Sequence, residues 1–272
     1  MTETSINFSG SVPQFYEEGL VPVIFEDYAE EIAKRASRDL GSIEKGTLLE
    51  LASGTGVVTR ELRSALGGGI DVIASDLNAD MLDIARSKFS DDEAVRFDVV
   101  DAMNLPFEPA SLDGVVCQFG VMFFPDKAQS YRQVHNVLKP GGVYSFNAWD
   151  SHAENPYAKI GQDLVEEIFP DEPPGFYHVP FHYHDPDQIR DDLRQAGFED
   201  ITIEQVKLQK TVRSPQSFAR SFVFGNPLRE EIEARSGDAE AFITEIHARL
   251  EKAFGKDPMV FPLSAFFVRA VK

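Results

Sequence analysis

Glu50-Leu51-Ala52-Ser53-Gly54-Thr55-Gly56 places two glycines and a carboxylate at the end of the apolar run Leu48-Leu49, and Asp76 ends a second apolar run 20 positions after Gly56. Glycines let the backbone turn tightly and let a ligand approach it. A helix starting just after the turn would offer free N–H groups. A carboxylate ending the next strand commonly accepts hydrogen bonds from ribose hydroxyls. The plainer role for Asp76 is helix capping, but the ordered succession of strand, glycine turn, helix, strand and acid favours nucleoside binding. A dinucleotide fingerprint wants a third small residue where this chain has Thr59, which argues against a nicotinamide cofactor. A Tyr-x-x-x-Lys pair is also missing after Tyr16, Tyr131 and Tyr157.

Six histidines supply the candidate acid–base groups. His152 follows the fifth expected strand, near where an acceptor would sit, and is the candidate general base. His135 and His247 lie in helical stretches, the first read as structural and the second as solvent-facing. His182-Tyr183-His184 alternates in a way that places two imidazoles on one face of an extended segment. A zinc site needs further ligands, and with a single cysteine, Cys117, no metal is expected.

The elements that must position these groups alternate. Ile24 to Leu40 carries a helical stripe that Gly41 can stop, preceded by an irregular Ser9–Pro13 segment. Strands are expected at Thr47–Leu51, Asp71–Ser75, Val95–Val99, Leu112–Phe119 and Val143–Ala148. The helices between them are Val57–Leu66, Asn78–Phe89 and a stretch from Asp126 to about Leu138, ended by Lys139-Pro140-Gly141-Gly142. Strands separated by helix-sized crossovers imply a doubly wound α/β fold with a parallel sheet. After Trp149 come a helix over Asn155–Phe169, a Pro-rich loop over Pro170–Pro180, a helix opened by Asp185-Pro186, a strand over Ile201–Leu208, a helical region from Ser214 to about Phe254 and a last strand over Leu263–Val271. A single domain is expected: an N-terminal helical cover (1–44), a cofactor-binding core (45–150), and candidate substrate-cap insertions at 151–188 and 213–258.

The 272 residues carry a formal charge of −19, which disfavours phosphate backbones as partners. The 22 phenylalanines can line an apolar pocket, although core packing is the simpler role. The polar N-terminus and the lack of a long uncharged stretch lead to a cytoplasmic expectation, without membrane insertion.

The motifs together resemble the class I S-adenosylmethionine-dependent methyltransferases, in particular the small-molecule branch related to the ubiquinone and menaquinone C-methyltransferases. Leu48 to Gly56 is similar to the family's first motif, with Glu50 in its acidic place and Ser53 where Cys is common. Asp76-Leu77-Asn78 with Met81 is similar to the second, Asp101-Ala102-Met103-Asn104-Leu105-Pro106-Phe107 to the third, and Gly114 to Phe119, including Gln118, to the fourth-strand region. The resemblance covers about residues 45–150 and implies a Rossmann-like seven-stranded sheet with an antiparallel last strand. It implies S-adenosyl-L-methionine as cofactor, its methionine part on Ala52, Ser53, Gly54, Thr55 and Gly56, its ribose on Asp76, and its adenine near Asp101 and a slot built from Leu77, Met81, Met103 and Phe119. Gly10 to Tyr16 resembles the family's leader, in which an aromatic, here Tyr16, covers the cofactor. A small-molecule methyl acceptor follows, with O, N or C as acceptor atom. A nicotinamide-dependent oxidoreductase and a non-catalytic cofactor-binding regulator are the alternatives, and monomer and homodimer stay open.

Overall fold

The computed structural model describes residues 10–272. Helix begins earlier than the periodicity predicts. Val12–Phe15 (α1) runs into a π-helical segment, Tyr16–Phe25, and then into α2, Glu26–Leu40, which ends at Gly41. Pro13 does not prevent this start, because an N–H in the first turn has no helical partner to lose. The expected stripe of α2 is buried: Tyr28, Ala29, Ile32, Ala33, Ala36 and Leu40.

The alternating unit follows as β1 (Gly46–Glu50), α3 (Val57–Ala65), β2 (Ile70–Asp76), α4 (Ala79–Ser87), β3 (Val95–Val99), β4 (Leu112–Gln118), α5 (Lys127–Val137) and β5 (Leu138–Trp149). The Asp126 carboxylate accepts the Gln129 N–H at 2.8 Å and so caps α5. The Lys139–Gly142 turn does not stand apart from the sheet as expected. It belongs to β5, because Gly141 N–H donates to the Lys272 carbonyl at 2.7 Å.

Beyond β5 lie α6 (Pro156–Ile168), a four-residue α7 (His178–Phe181) inside the expected loop, α8 (Pro186–Gln195), β6 (Asp200–Val212), α9 (Pro215–Phe224), α10 (Leu228–Ala234), α11 (Ala239–Phe254) and β7 (Met259–Val271). β6 and β7 are longer than their apolar runs because they pair with each other along their whole length, from Asp200 opposite Val271 to Val212 opposite Met259. The sheet order is β3-β2-β1-β4-β5-β7-β6, with β7 antiparallel to both neighbours. It is the seven-stranded, mostly parallel sheet that the resemblance implies.

β1 lies between β2 and β4 and is parallel to both. Chain order therefore reverses at β1 and β4, and the crevice beyond their C-terminal ends is where such sheets bind ligands. No helix among the described residues is long and apolar enough to cross a membrane.

Candidate functional site

The turn after β1 is held from both sides. Ser53 N–H donates to the Ser75 carbonyl at 2.9 Å, and Gly56 N–H donates to Ser53 at 2.9 Å. Gly54 and Gly56 have φ of +54° and +83°. A side chain on Gly54 would point into open space, whereas one on Gly56 would meet the Ala85 Cβ at 3.0 Å. Gly56 thus serves packing of the turn on α4, and Gly54 leaves its backbone accessible.

Two residues of the crevice carry positive φ despite their side chains: Ala52 at +51° and Phe119 at +50°. Such backbone costs of order 1–3 kcal/mol and persists where surroundings enforce it, often at a binding site. Here Phe119 N–H is held by the Asn147 side-chain oxygen at 2.8 Å, and its ring stacks on Trp149 with centroids 3.9 Å apart.

Asp76, at the end of β2, is buried. Its Oδ2 accepts Gly54 N–H at 2.8 Å, and its Oδ1 accepts Asn78 N–H at 2.8 Å and the Asn78 side-chain amide at 3.3 Å. Asn78 occupies the N-cap position of α4, but its side chain serves the carboxylate and makes no capping bond. Two oxygens offer about four acceptor sites, so capacity remains for a ligand's hydroxyl. Burial pushes the Asp76 carboxyl up, opposed by those N–H donors.

Glu50 is more deeply enclosed. Its Oε2 accepts the Thr59 hydroxyl at 2.6 Å, which explains a threonine where a dinucleotide site has glycine. Burial, with the Asp76 charge adding to it, pushes Glu50 up to about 8. Two buried acids beside one glycine turn disfavour an incoming pyrophosphate and favour a cation. Ser53 Oγ and Thr55 Oγ1 are buried without hydrogen-bond partners among the described residues.

A cavity of about 670 Å³ opens at this crevice. Of the residues expected to hold cofactor, Tyr16, Ala52, Gly54, Asp76, Leu77, Asn78, Met81, Asp101, Ala102, Met103, Gln118 and Phe119 line it. Glu50, Ser53, Thr55 and Gly56 are not part of that lining. Leu77 is 61% exposed, an apolar side chain left uncovered at the cavity edge. Asp101 Oδ1 accepts Met103 N–H at 2.8 Å and shapes the opposite rim.

Much of the remaining wall is aromatic, and which rings form it was not legible in advance. It includes Phe25, Phe123, Phe124, Trp149, Tyr157, Phe176, Tyr177 and Phe181, together with Lys127, His182 and Asn226. The Pro-rich stretch that supplies Phe176 to His182 has no periodicity to expose its role. Lys127 Nζ donates to the Met122 and Phe124 carbonyls at 3.2 and 3.0 Å, and burial lowers its ammonium.

His152 lies outside the lining: its Nε2 stands 3.1 Å from the Tyr177 carbonyl and its ring 4.7 Å from Phe181. His182 and His184 are not on an extended segment. Each Nδ1 turns back to a carbonyl three residues earlier, at 2.6 Å. His247 is not fully solvent-facing either, since its Nε2 is buried. His135 packs edge-on to Phe198 at 5.1 Å. No group of three potential metal ligands occurs among the described residues.

A smaller cavity, about 210 Å³, lies under α2 among Arg35, Arg38, Asp39 and Arg269, and contains none of the expected residues.

The fold and this crevice define a Rossmann-like methyltransferase domain, and residues 48–142 match the family described as "Methyltransferase domain". Over this stretch the chain carries a methyltransferase domain, and it is similar in sequence to quinone methyltransferases. It is 29% identical over 173 residues to a demethylmenaquinone methyltransferase of Lactobacillus johnsonii, covering 59% of this chain and 70% of that protein. It is 38% identical over 111 residues to a Staphylococcus aureus protein of the same name, covering 40% of this chain and 46% of the relative, so that match spans less than half of the relative's length. In fold it is similar to phosphoethanolamine N-methyltransferase 2 of Haemonchus contortus in complex with S-adenosylhomocysteine, with a TM-score of 0.59, 19% identity, and coverage of 96% of this chain and 56% of that one.

Proposed function

We propose that the chain transfers the methyl group of S-adenosylmethionine to an apolar small molecule bound against the aromatic wall. The observation that carries this reading is one continuous cavity reaching from Gly54 and Asp76 to Trp149, Phe176, Tyr177 and Phe181. The cofactor brings its own electrophile, a sulfonium, so the protein's work is to orient the acceptor and exclude water. In this reading Asp76 holds the ribose, the Ala52–Gly56 turn the methionine part, and Leu77, Met81, Met103 and Phe119 flank the adenine, with Asp101 at its amino group. Glu50 adjoins the turn and, where ionised, compensates the cofactor's positive charge. Tyr16, Leu20 and Phe25 cover the cavity from the N-terminal side, and the segments 151–188 and 213–258 close it through Phe176–His182 and Asn226. The formal charge of −19 and the single, buried Cys117 fit a small-molecule acceptor in a reducing cytoplasm.

Calorimetric titration tests the reading. S-adenosylmethionine and its demethylated product should bind, and Asp76→Ala should weaken both about 10- to 100-fold, as loss of hydrogen bonds to a charged group does. Preference for a nicotinamide dinucleotide would overturn it.

A further inference from the structure

The same cavity is lined by an imidazole, His182, and an ammonium, Lys127. The His182 Nδ1 lies 2.6 Å from the Val179 carbonyl, which only accepts, so Nδ1 must carry the proton. The other nitrogen, Nε2, then holds a lone pair in the neutral ring, and it has no hydrogen-bond partner among the described residues. Tyr183 links this ring to Lys127: its ring centroid is 6.4 Å from that of His182 and 5.0 Å from the Lys127 Nζ. Two of the three ammonium donors of Lys127 are used on backbone carbonyls, which leaves one for a ligand. Rings line the same cavity: Phe123, Phe124, Phe176, Phe181 and Trp149.

We propose that the acceptor is a phenol, that His182 Nε2 is its general base, and that the Lys127 ammonium stabilises the developing phenolate. An aryl ring suits the stacked walls. An amine acceptor would not need its proton removed before attack, and its cationic form would be repelled by Lys127. A hydroxyl needs both groups. The O–H bond breaks with its proton passing to His182 Nε2, and the oxygen lone pair forms the O–CH3 bond. The methyl–sulfur bond breaks with its electron pair staying on sulfur, which becomes a neutral thioether. The proton on His182 leaves to water, since this side chain is exposed.

This inference rests on the methyltransferase reading. Its test compares 2-naphthol, largely protonated in mildly alkaline buffer, with 4-nitrophenol, largely ionised there. The wild type, His182→Gln and the control His184→Gln are assayed. His184 makes the same backbone contact, Nδ1 to the Phe181 carbonyl at 2.6 Å, but lies outside the cavity lining. His182→Gln should slow methylation of 2-naphthol about 100-fold or more, and that of 4-nitrophenol less than about threefold, because only the first needs a base. His184→Gln should change neither. Equal slowing of both phenols, or of neither, would overturn the base role, and methylation of no phenol by the wild type would overturn the acceptor class. Cofactor binding is measured on the same samples: a wild type that binds S-adenosylmethionine but methylates no phenol sinks only this inference, whereas one that binds none sinks the broader reading.

Discussion

Glu50 shows how one side chain can oppose folding and favour ligand. Its carboxyl is pushed up to about 8 by burial, well above its unfolded value. A raised carboxyl contributes stability that is fully present below the unfolded pKa and is lost as pH rises through the folded one. Ligand-free wild type should therefore lose thermal stability between about pH 4.5 and about pH 8, more steeply than Glu50→Gln, which has no charge to bury. Melting curves of the two proteins across that range check this, and parallel curves would contradict it. The same replacement should weaken S-adenosylmethionine binding about tenfold at the alkaline end, where the carboxylate would have been ionised and able to face a cation. Titration calorimetry at both ends of the range measures that difference.

At the scale of elements, the cover depends on how closely the π-helical segment approaches α9. A Cβ on Gly19 would lie 2.1 Å from the Ser221 Oγ and 2.9 Å from the Ser217 carbonyl oxygen. Gly19→Ala should therefore cost about 1–3 kcal/mol, the usual range for overpacking. Adding Ser221→Gly should recover part of that loss, because it removes the nearer obstacle, and denaturant unfolding of the single and double variants checks the coupling. The π-helical geometry was not legible in the sequence. The apolar residues of Tyr16–Phe25 show no helical stripe because Leu20, Val21, Val23, Ile24 and Phe25 are all buried between the core and the cap. By contrast, α2 and α5 were legible in the sequence. One has a clean apolar stripe, and the other an Asp126 whose side chain can act only as a start signal at that place.

At the scale of the whole molecule, the cavity is bounded by chain segments far apart in sequence, from Tyr16 to Asn226. A ligand that joins them should stabilise all of them together. S-adenosylmethionine at about 100 times its Kd should add ~2.7 kcal/mol to stability, a rise in Tm of roughly 5–10 °C for a chain of this size. Hydrogen exchange should slow in Tyr16–Phe25 and around α7 as well as in the β1 turn. Protection confined to the β1 turn would show that the outer segments do not close on the cofactor.

The sequence by itself determined the sheet core and the glycine turn with its strand-ending acids. Glycines, strand-ending acids and caps act through the backbone within a few residues, so their spacing carries the information. Ala52, Gly54, Asp76 and Asp101, singled out on that basis, line the cavity, whereas Ser53, Thr55 and Gly56 do not. The aromatic part of the cavity was decided only by tertiary structure. Phe176 and His182 come from a stretch without period, Lys127 from a helix start, and Trp149 from a strand end. Nothing local distinguishes a ring that lines a cavity from one that fills the core, because both are apolar side chains taken out of water. Likewise the chain position of His152 made it the candidate base, yet His182 lines the cavity and His152 does not, although each imidazole meets a backbone carbonyl.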